Sequence, residues 1–145
     1  MIRRTKLMLH HSFTEDSKTV SWPAIRKYHI ETKGWHDIGY HYGVELTGDS
    51  YEALIGRSLE HEAAACPEGD MNRIAVHVCL VGCFDKNPPP PEQLEVFRDR
   101  IWLPTADTFE LTPRDIVFHR DFAPWKTCPG TTMTRALLAQ YIPGA

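Results

Sequence analysis

Blocks of apolar and polar positions alternate along the chain and predict strands interleaved with helices. Short runs of β-branched and aromatic residues predict the strands. The run at 74–83 is the most apolar, so we expect it at the centre of the sheet. Strands interleaved with helices are typical of an α/β fold, here a single domain with a central mixed β-sheet flanked by helices. The predicted strands are Lys6–His10, Ile38–Leu46, Tyr51–Ile55, Ile74–Cys83 and Ile116–Phe118.

Apolar residues at helical spacing predict three main helices between these strands. The first has Ser21 as its cap and a proline in its first turn, and Gly34 ends it. The second begins at Pro91, after a short proline run, and Pro104 ends or kinks it. The third covers Thr132–Tyr141 near the end of the chain.

Length, composition and charge restrict the classes of function. A chain of 145 residues with 42% hydrophobic and 24% charged residues can build one core, so we expect one domain over residues 1–145. A net charge of -3 and a pI of about 6.2 do not support a phosphate-binding surface. No apolar run approaches the roughly 20 residues of a membrane span. We therefore expect a monomer that binds neither nucleic acid nor membranes.

The N-terminal segment does not fit a signal peptide. Basic residues precede an apolar stretch that covers only Leu7–Leu9. A signal peptide needs roughly 7–15 apolar residues at that point. We therefore expect cytoplasmic synthesis without a signal peptide, followed by release if the protein acts elsewhere.

Histidines and a cysteine near the two ends of the chain form a set that suits zinc. His119 and Cys128 stand nine residues apart, and His10 and His11 end the first apolar run. On a strand these two neighbours point to opposite faces, so only one of them faces a given cleft. Two imidazoles and one thiolate leave a fourth tetrahedral position for water, as in catalytic zinc sites. Cys128 precedes the last predicted helix, where a lowered pKa favours thiolate.

Two other interpretations of the histidines and cysteines remain open. Cys128 could be the nucleophile of a cysteine hydrolase, with one of the histidines as its base. A second metal site could form from His77, Cys79 and Cys83, which share one face of the predicted strand.

Two further residues have side chains that suit hydrolysis near a metal. Lys126 stands two residues before Cys128, where a cation would stabilise an oxyanion. The other is a tyrosine of an aromatic segment, either Tyr40 or Tyr42, which share one face of the predicted strand, because a phenol near zinc can hydrogen-bond the attacking water or the oxyanion.

The ordered set of segments resembles the type 2 zinc-dependent N-acetylmuramoyl-L-alanine amidases. This family includes phage lysozyme-type endolysins and shares its fold with peptidoglycan-recognition proteins. Each segment is modest alone, but together they follow the family's order over nearly the whole chain. The matching segments are Leu9–Ser12, Gly34–Tyr42, Gly56–Arg57, Val78–Gly82 and His119–Gly130.

The resemblance implies one zinc ion per chain, bound by His10, His119 and Cys128. It also implies that Tyr40 and Lys126 assist catalysis. Peptidoglycan or a muropeptide is the implied substrate, cleaved at the amide between N-acetylmuramic acid and L-alanine.

Two departures from the family pattern affect the cleft. Some relatives carry a catalytic glutamate at the position of Cys79, and its absence here favours the version with tyrosine and lysine. The segment Glu60–Gly69 is longer and more acidic than its family counterpart, so the cleft rim differs. The candidate substrate contacts are Trp35, Arg57, His61 and Asn72.

Within this family we expect a phage or prophage endolysin that lyses the bacterial cell wall from the periplasm. A cytoplasmic muropeptide-recycling amidase and a non-catalytic peptidoglycan-recognition module are the alternatives. Cys128 counts against the latter, because non-catalytic relatives lose this ligand. Some phage relatives also regulate a polymerase, and the sequence does not address that role.

Overall fold

The computed structural model describes residues 1–14 and 21–145. Within these ranges no helix has both the length and the apolar character needed to cross a bilayer. The elements are β1 (Lys6–His11), α1 (Trp22–Glu31), β2 (Tyr42–Thr47), β3 (Ser50–Ile55), α2 (Met71–Ile74), β4 (Ala75–Leu80), α3 (Pro91–Val96), a π-helical segment (Phe97–Trp102), α4 (Leu103–Phe109), β5 (Ile116–Phe118), α5 (His119–Phe122) and α6 (Arg135–Ala139), with 3₁₀ turns at Glu68–Asp70 and Pro113–Asp115.

The five strands form one mixed sheet in the order β3-β2-β4-β1-β5. β1 is parallel to β4 on one side and to β5 on the other, β4 is parallel to β2, and only the β2–β3 hairpin is antiparallel. All six positions of β4 are buried. The predicted α/β fold and the central place of the most apolar strand are confirmed.

The two faces of β1 and β4 have different roles. Leu7, Leu9, Val76 and Val78 alternate onto one face and join the main hydrophobic core with α3, the π-helical segment and α6. Because side chains alternate along a strand, the intervening residues point to the opposite face. That face contains Met8, His10, His77 and Cys79, and all four are buried.

The strands are shorter than predicted at the ends near the cleft. β2 begins at Tyr42 rather than at residue 38, since Gly39 packs against the loop at Ala64, where a Cβ would lie 2.7 Å from the Ala64 oxygen. The Ala64 amide donates to the Gly39 carbonyl. β4 ends at Leu80, because Gly82 adopts a φ of 146° and turns the chain away.

Pro104 was predicted to end or kink the helix that starts at Pro91, and the structure shows that the helix does not end there but changes to π-helical turns just before this proline. Pro104 has no amide hydrogen to donate within the helix. It follows a π-helical stretch, in which the Leu103 amide donates to the Arg98 carbonyl five residues earlier. The wider turns therefore let the helix continue past a residue that has no amide hydrogen.

The ends of the other two predicted helices also differ. Ser21 stands at the cap position of α1, but its side chain does not cap the helix. The buried Glu45 carboxylate does so instead and accepts the amides of Ser21 at 2.7 Å and Trp22 at 3.0 Å. The last helix begins later than predicted, at Arg135, where the Thr134 side chain accepts the Leu137 amide.

The buried Arg4 guanidinium connects several chain segments through hydrogen bonds to their carbonyls. It is 1% exposed and donates to the carbonyls of Arg73 at 2.6 Å and Ala75 at 3.2 Å. It also donates to the carbonyls of Leu59 at 2.8 Å and His61 at 2.7 Å. One side chain therefore joins the start of β1 to the start of β4 and to the 59–61 loop.

We expect Arg4→Met to lower the free energy of unfolding by about 3 kcal/mol or more, because it leaves several buried carbonyls without donors. Urea denaturation measures the change, with the exposed neighbour Arg3→Met as the matched control. Equal stabilities of the two variants would contradict the role given to Arg4.

Candidate metal centre and cleft

The parallel strands bring the three predicted zinc ligands together. His10 lies near the carboxyl end of β1, and His119 directly follows β5, whose Phe118 pairs with Leu9. The Nδ1 atoms of His10 and His119 are 3.2 Å apart, and Cys128 Sγ lies 3.7 Å from His10 Nδ1. All three donor atoms lie within 4.8 Å of one another.

Backbone contacts hold the Cys128 loop against the sheet. The Arg120 amide donates to the Cys128 carbonyl at 2.9 Å, and the Arg120 guanidinium donates to the Gly130 carbonyl at 2.9 Å. The His11 amide points at Cys128 Sγ from 3.4 Å. The sulfur therefore has a defined place at the end of β1.

Of the two adjacent histidines, His10 is the one that joins the donor set. The His11 ring points away, and its Nδ1 accepts the Phe84 amide at 3.2 Å. The alternation of side chains on β1 thus resolves the choice that the strand pattern alone left open.

Burial keeps both histidines of the set neutral near pH 7. It lowers the pKa of His10 well below its ordinary value. Burial, assisted by the nearby Lys126 ammonium, lowers the pKa of His119 to about 4. A neutral imidazole keeps a lone pair, which is the form that binds metals.

The expected low pKa of Cys128 is wrong for the protein without a cation. Burial raises the pKa of this thiol to about 11. The last helix begins only at Arg135, too far along the chain for its N-terminus to stabilise a thiolate. A metal that binds here displaces the thiol proton.

Two nitrogens and one sulfur fit zinc, which binds histidine and cysteine in tetrahedral sites. A second set, Cys66, Glu68 and His119, also has donor atoms within 4.8 Å of one another. This set shares His119 with the first, and its Cys66 thiol already donates to Glu68 Oε2 at 3.3 Å.

The alternative metal set of His77, Cys79 and Cys83 is not supported by the structure. β4 ends before Cys83. Among residues 1–14 and 21–145, these three side chains do not form a converging donor set. Cys79 instead lies near the Tyr40 phenol and contributes to the raised pKa of that group.

The donor set lies in the wall of an open cleft of about 490 Å³ that also contains Tyr40 and Lys126. The Tyr40 ring centroid is 5.2 Å from that of His10. Burial, together with nearby Cys79 and Cys128, raises the pKa of Tyr40 well above its ordinary value, so the phenol keeps its proton. Lys126 is exposed at the cleft, beside His119 and Cys128.

Two of the four predicted substrate contacts line the cleft region. Trp35 lines the main cleft and a neighbouring cavity of about 400 Å³. Asn72 lines the neighbouring cavity, and its Oδ1 accepts the amides of Ala65 and Cys66, each at 2.8 Å. Asn72 therefore also shapes the loop between the two cavities.

The other two predicted contacts lie outside the lining of both cavities. Arg57 is buried and donates to the carbonyls of Ile38 at 2.8 Å and Glu62 at 2.7 Å, so it supports the surrounding loops. The His61 ring is exposed and lies 5.8 Å from that of His36. The structure thus does not bring Arg57 or His61 to the donor set.

Three residues that were not predicted for this site lie at or beside it in the structure. His29 lines the cleft, and its Nδ1 accepts the Gly39 amide at 2.9 Å. Trp125 also lines the cleft and is 68% exposed. His77 lies behind His10, with its ring centroid 5.1 Å away. A histidine within an otherwise apolar buried strand was the available signal, since a buried polar group requires an explanation.

Comparisons with known proteins agree on one family. A family profile described as N-acetylmuramoyl-L-alanine amidase matches residues 3–131. Peptidoglycan-recognition protein LE of Drosophila melanogaster is 29% identical over 118 residues, which cover 78% of this chain and 33% of that protein. Human peptidoglycan recognition protein 3 is 30% identical over 98 residues, which cover 67% of this chain and 27% of that protein. The chain therefore spans a third or less of either curated relative.

Solved structures show the same fold at low sequence identity. The N-acetylmuramoyl-L-alanine amidase LysC from Clostridium intestinale URNW superposes with a TM-score of 0.78 at 20% identity, covering 96% of this chain and 85% of LysC. Peptidoglycan recognition protein LE in complex with tracheal cytotoxin superposes with a TM-score of 0.76 at 20% identity, covering 98% and 84%.

We expect purified protein to bind about one zinc ion per chain, and Cys128→Ser to weaken binding strongly, because a serine hydroxyl is a poor zinc ligand. Metal analysis and chelator competition measure both. Cys83→Ser is the matched control, since Cys83 lies outside the donor set. Equal zinc affinity of the two variants would remove Cys128 from the site.

Proposed function

The chain belongs to the N-acetylmuramoyl-L-alanine amidase family, and we propose that it uses zinc to hydrolyse the amide bond between N-acetylmuramic acid and L-alanine of peptidoglycan. The observation that carries this proposal is the convergence of His10, His119 and Cys128 in the wall of an open cleft. Three protein ligands beside a cleft fit a catalytic zinc site, which keeps one coordination position for water.

His10, His119 and Cys128 are the residues that would hold the metal. Zinc bound there would supply a Lewis acid that polarises the amide carbonyl and lowers the pKa of water to about 7. The two neutral imidazoles need no deprotonation to bind, and only the thiol must lose a proton.

Tyr40 is proposed as a hydrogen-bond donor to the reacting oxygen. Its raised pKa keeps the phenol protonated across the physiological range. Its ring lies beside His10 in the cleft wall, so its position is fixed before substrate binds. A preorganised donor stabilises negative charge that develops on the amide oxygen as the bond is attacked.

Lys126 is proposed to stabilise the same developing charge from the cleft rim. It is exposed in the cleft beside His119, and its backbone amide donates to the Ala123 carbonyl at 2.9 Å. A cationic side chain at the cleft favours an oxyanion over the neutral amide.

The cleft also offers surface for a muropeptide. Trp35 lines both adjoining cavities, and Trp125 presents an exposed ring at the cleft. Aromatic faces provide apolar contact at low cost in conformational entropy. A similar fold in peptidoglycan recognition protein LE is complexed with tracheal cytotoxin, a monomeric diaminopimelic acid-type peptidoglycan, which supports this class of ligand.

The complete donor set favours an active enzyme over a non-catalytic recognition module. Within the family we propose an endolysin that reaches the cell wall after release from the cytoplasm. A recycling amidase that acts on soluble muropeptides is the nearest enzymatic alternative.

We expect Tyr40→Phe to lower kcat by about 10²–10³-fold, as removal of one oxyanion donor does. Zinc content should not change, because Tyr40 is not among the donor atoms. Release of the stem peptide from purified sacculi measures kcat. Tyr42→Phe is the matched control, since Tyr42 lies on β2 outside this cleft. Unchanged kcat in Tyr40→Phe would exclude the proposed role.

Intact sacculi and soluble muropeptides separate the endolysin from the recycling enzyme. We expect the protein to reduce the turbidity of outer-membrane-permeabilised Gram-negative cells, with a chelator abolishing lysis and zinc restoring it. Cleavage of soluble muropeptides alone would favour recycling. Lysis that persists after zinc removal would instead support Cys128 as a nucleophile.

A further inference from the structure

A buried histidine of β4 connects the candidate metal centre to the backbone. His77 is fully buried in the sheet face that also contains His10. His77 Nδ1 lies 2.8 Å from His10 Nε2, and His77 Nε2 lies 2.7 Å from the Met71 carbonyl oxygen. Both distances are those of good hydrogen bonds, and each bond requires one proton.

The Met71 carbonyl oxygen determines which ring nitrogen carries the proton in each of these two hydrogen bonds. A carbonyl oxygen only accepts, so His77 Nε2 carries a hydrogen and donates to Met71. Full burial favours the neutral ring, which leaves a lone pair on His77 Nδ1. His10 Nε2 must then be the donor in the second bond. Neutral His10 consequently has its lone pair on Nδ1, the atom that lies 3.2 Å from His119 Nδ1 and 3.7 Å from Cys128 Sγ.

We propose that His77 is a positioning residue that fixes His10 as the Nε2–H tautomer and so directs the His10 Nδ1 lone pair toward the metal centre. The inference rests on the metal site of the proposed function and adds a residue to it. Both rings stay neutral throughout, so the effect is one of proton position. A ligating histidine commonly donates its other N–H to a carboxylate, a carbonyl or water. Here a second histidine takes that place, and the Met71 carbonyl in turn fixes the tautomer of this second histidine.

Main-chain hydrogen bonds fix the part of β4 that carries His77. The His77 amide donates to His41 Nδ1 at 3.0 Å, and the His77 carbonyl accepts the His41 amide at 2.9 Å. β1 and β4 are parallel, with His77 in register with Met8. The two hydrogen bonds that connect Met71, His77 and His10 therefore depend on the pairing of β1 with β4.

The tautomer of His10 in metal-free protein tests the proposal without any activity assay. Nitrogen-15 NMR of the imidazole rings should show His10 protonated on Nε2 and not on Nδ1. Replacement by His77→Phe keeps a flat ring but removes the acceptor, so the Nδ1–H form of His10 should appear. Zinc affinity, measured by chelator competition, should fall about 10–100-fold, as with other partners of ligating histidines.

Two variants separate this role from general damage to the core. His77→Asn retains an acceptor at the δ position and should restore part of the zinc affinity. Gln93→Leu removes another buried polar side chain, one whose hydrogen bonds go to the Val44 and Val81 carbonyls, so it should lower stability while the His10 tautomer stays unchanged.

Wild-type His10 protonated on Nδ1 would overturn the proposal, even if His77→Phe fails to fold. So would a folded His77→Phe variant with the wild-type tautomer and zinc affinity. A wild-type protein that binds no zinc would refute the metal site instead, while the NMR measurement would still report whether His77 controls His10.

Discussion

The parallel pairing of β1 with a strand on each side is the constraint on which the site depends. β4 fixes one edge of β1 and β5 the other, so the position and rotation of His10 are set by two registers. The same pairing places His119 at the end of β5, next to His10. Any slip of one residue would turn His10 into the apolar core and break the donor set.

One face of the sheet packs into the core and the other carries the site. One face of β1 and β4 packs into the main hydrophobic core, and the other contains the histidines and Cys79. A polar face at this depth requires hydrogen-bond partners, because an unpaired buried polar group is costly. His77 is the partner of His10 and the Met71 carbonyl is the partner of His77, while Arg4 and Arg57 donate to carbonyls of the surrounding loops. Hydrogen bonds to the backbone therefore hold the side chains that support the cleft.

Much of this arrangement follows from the sequence, since strand patterns and segment order depend on local residues. The succession of strands and helices along the chain and the central place of the most apolar strand were predictable, and the three predicted donor residues lie together in the structure. The state of the Cys128 thiol was not, because its pKa depends on burial by distant segments. Arg57 was assigned to substrate from its motif, and only the tertiary structure shows its guanidinium directed at backbone carbonyls. The link from His77 to His10 joins residues 67 positions apart, which one sequence does not reveal.

The central claim is that two histidines and one cysteine of this chain hold a single zinc ion in a site that can hydrolyse an amide. X-ray absorption at the zinc edge of the purified protein tests it most directly. We expect one sulfur ligand at about 2.3 Å and two imidazole nitrogens at about 2.0–2.1 Å, with the remaining position taken by a light atom. A zinc environment without sulfur, or with two or more sulfurs, would contradict it.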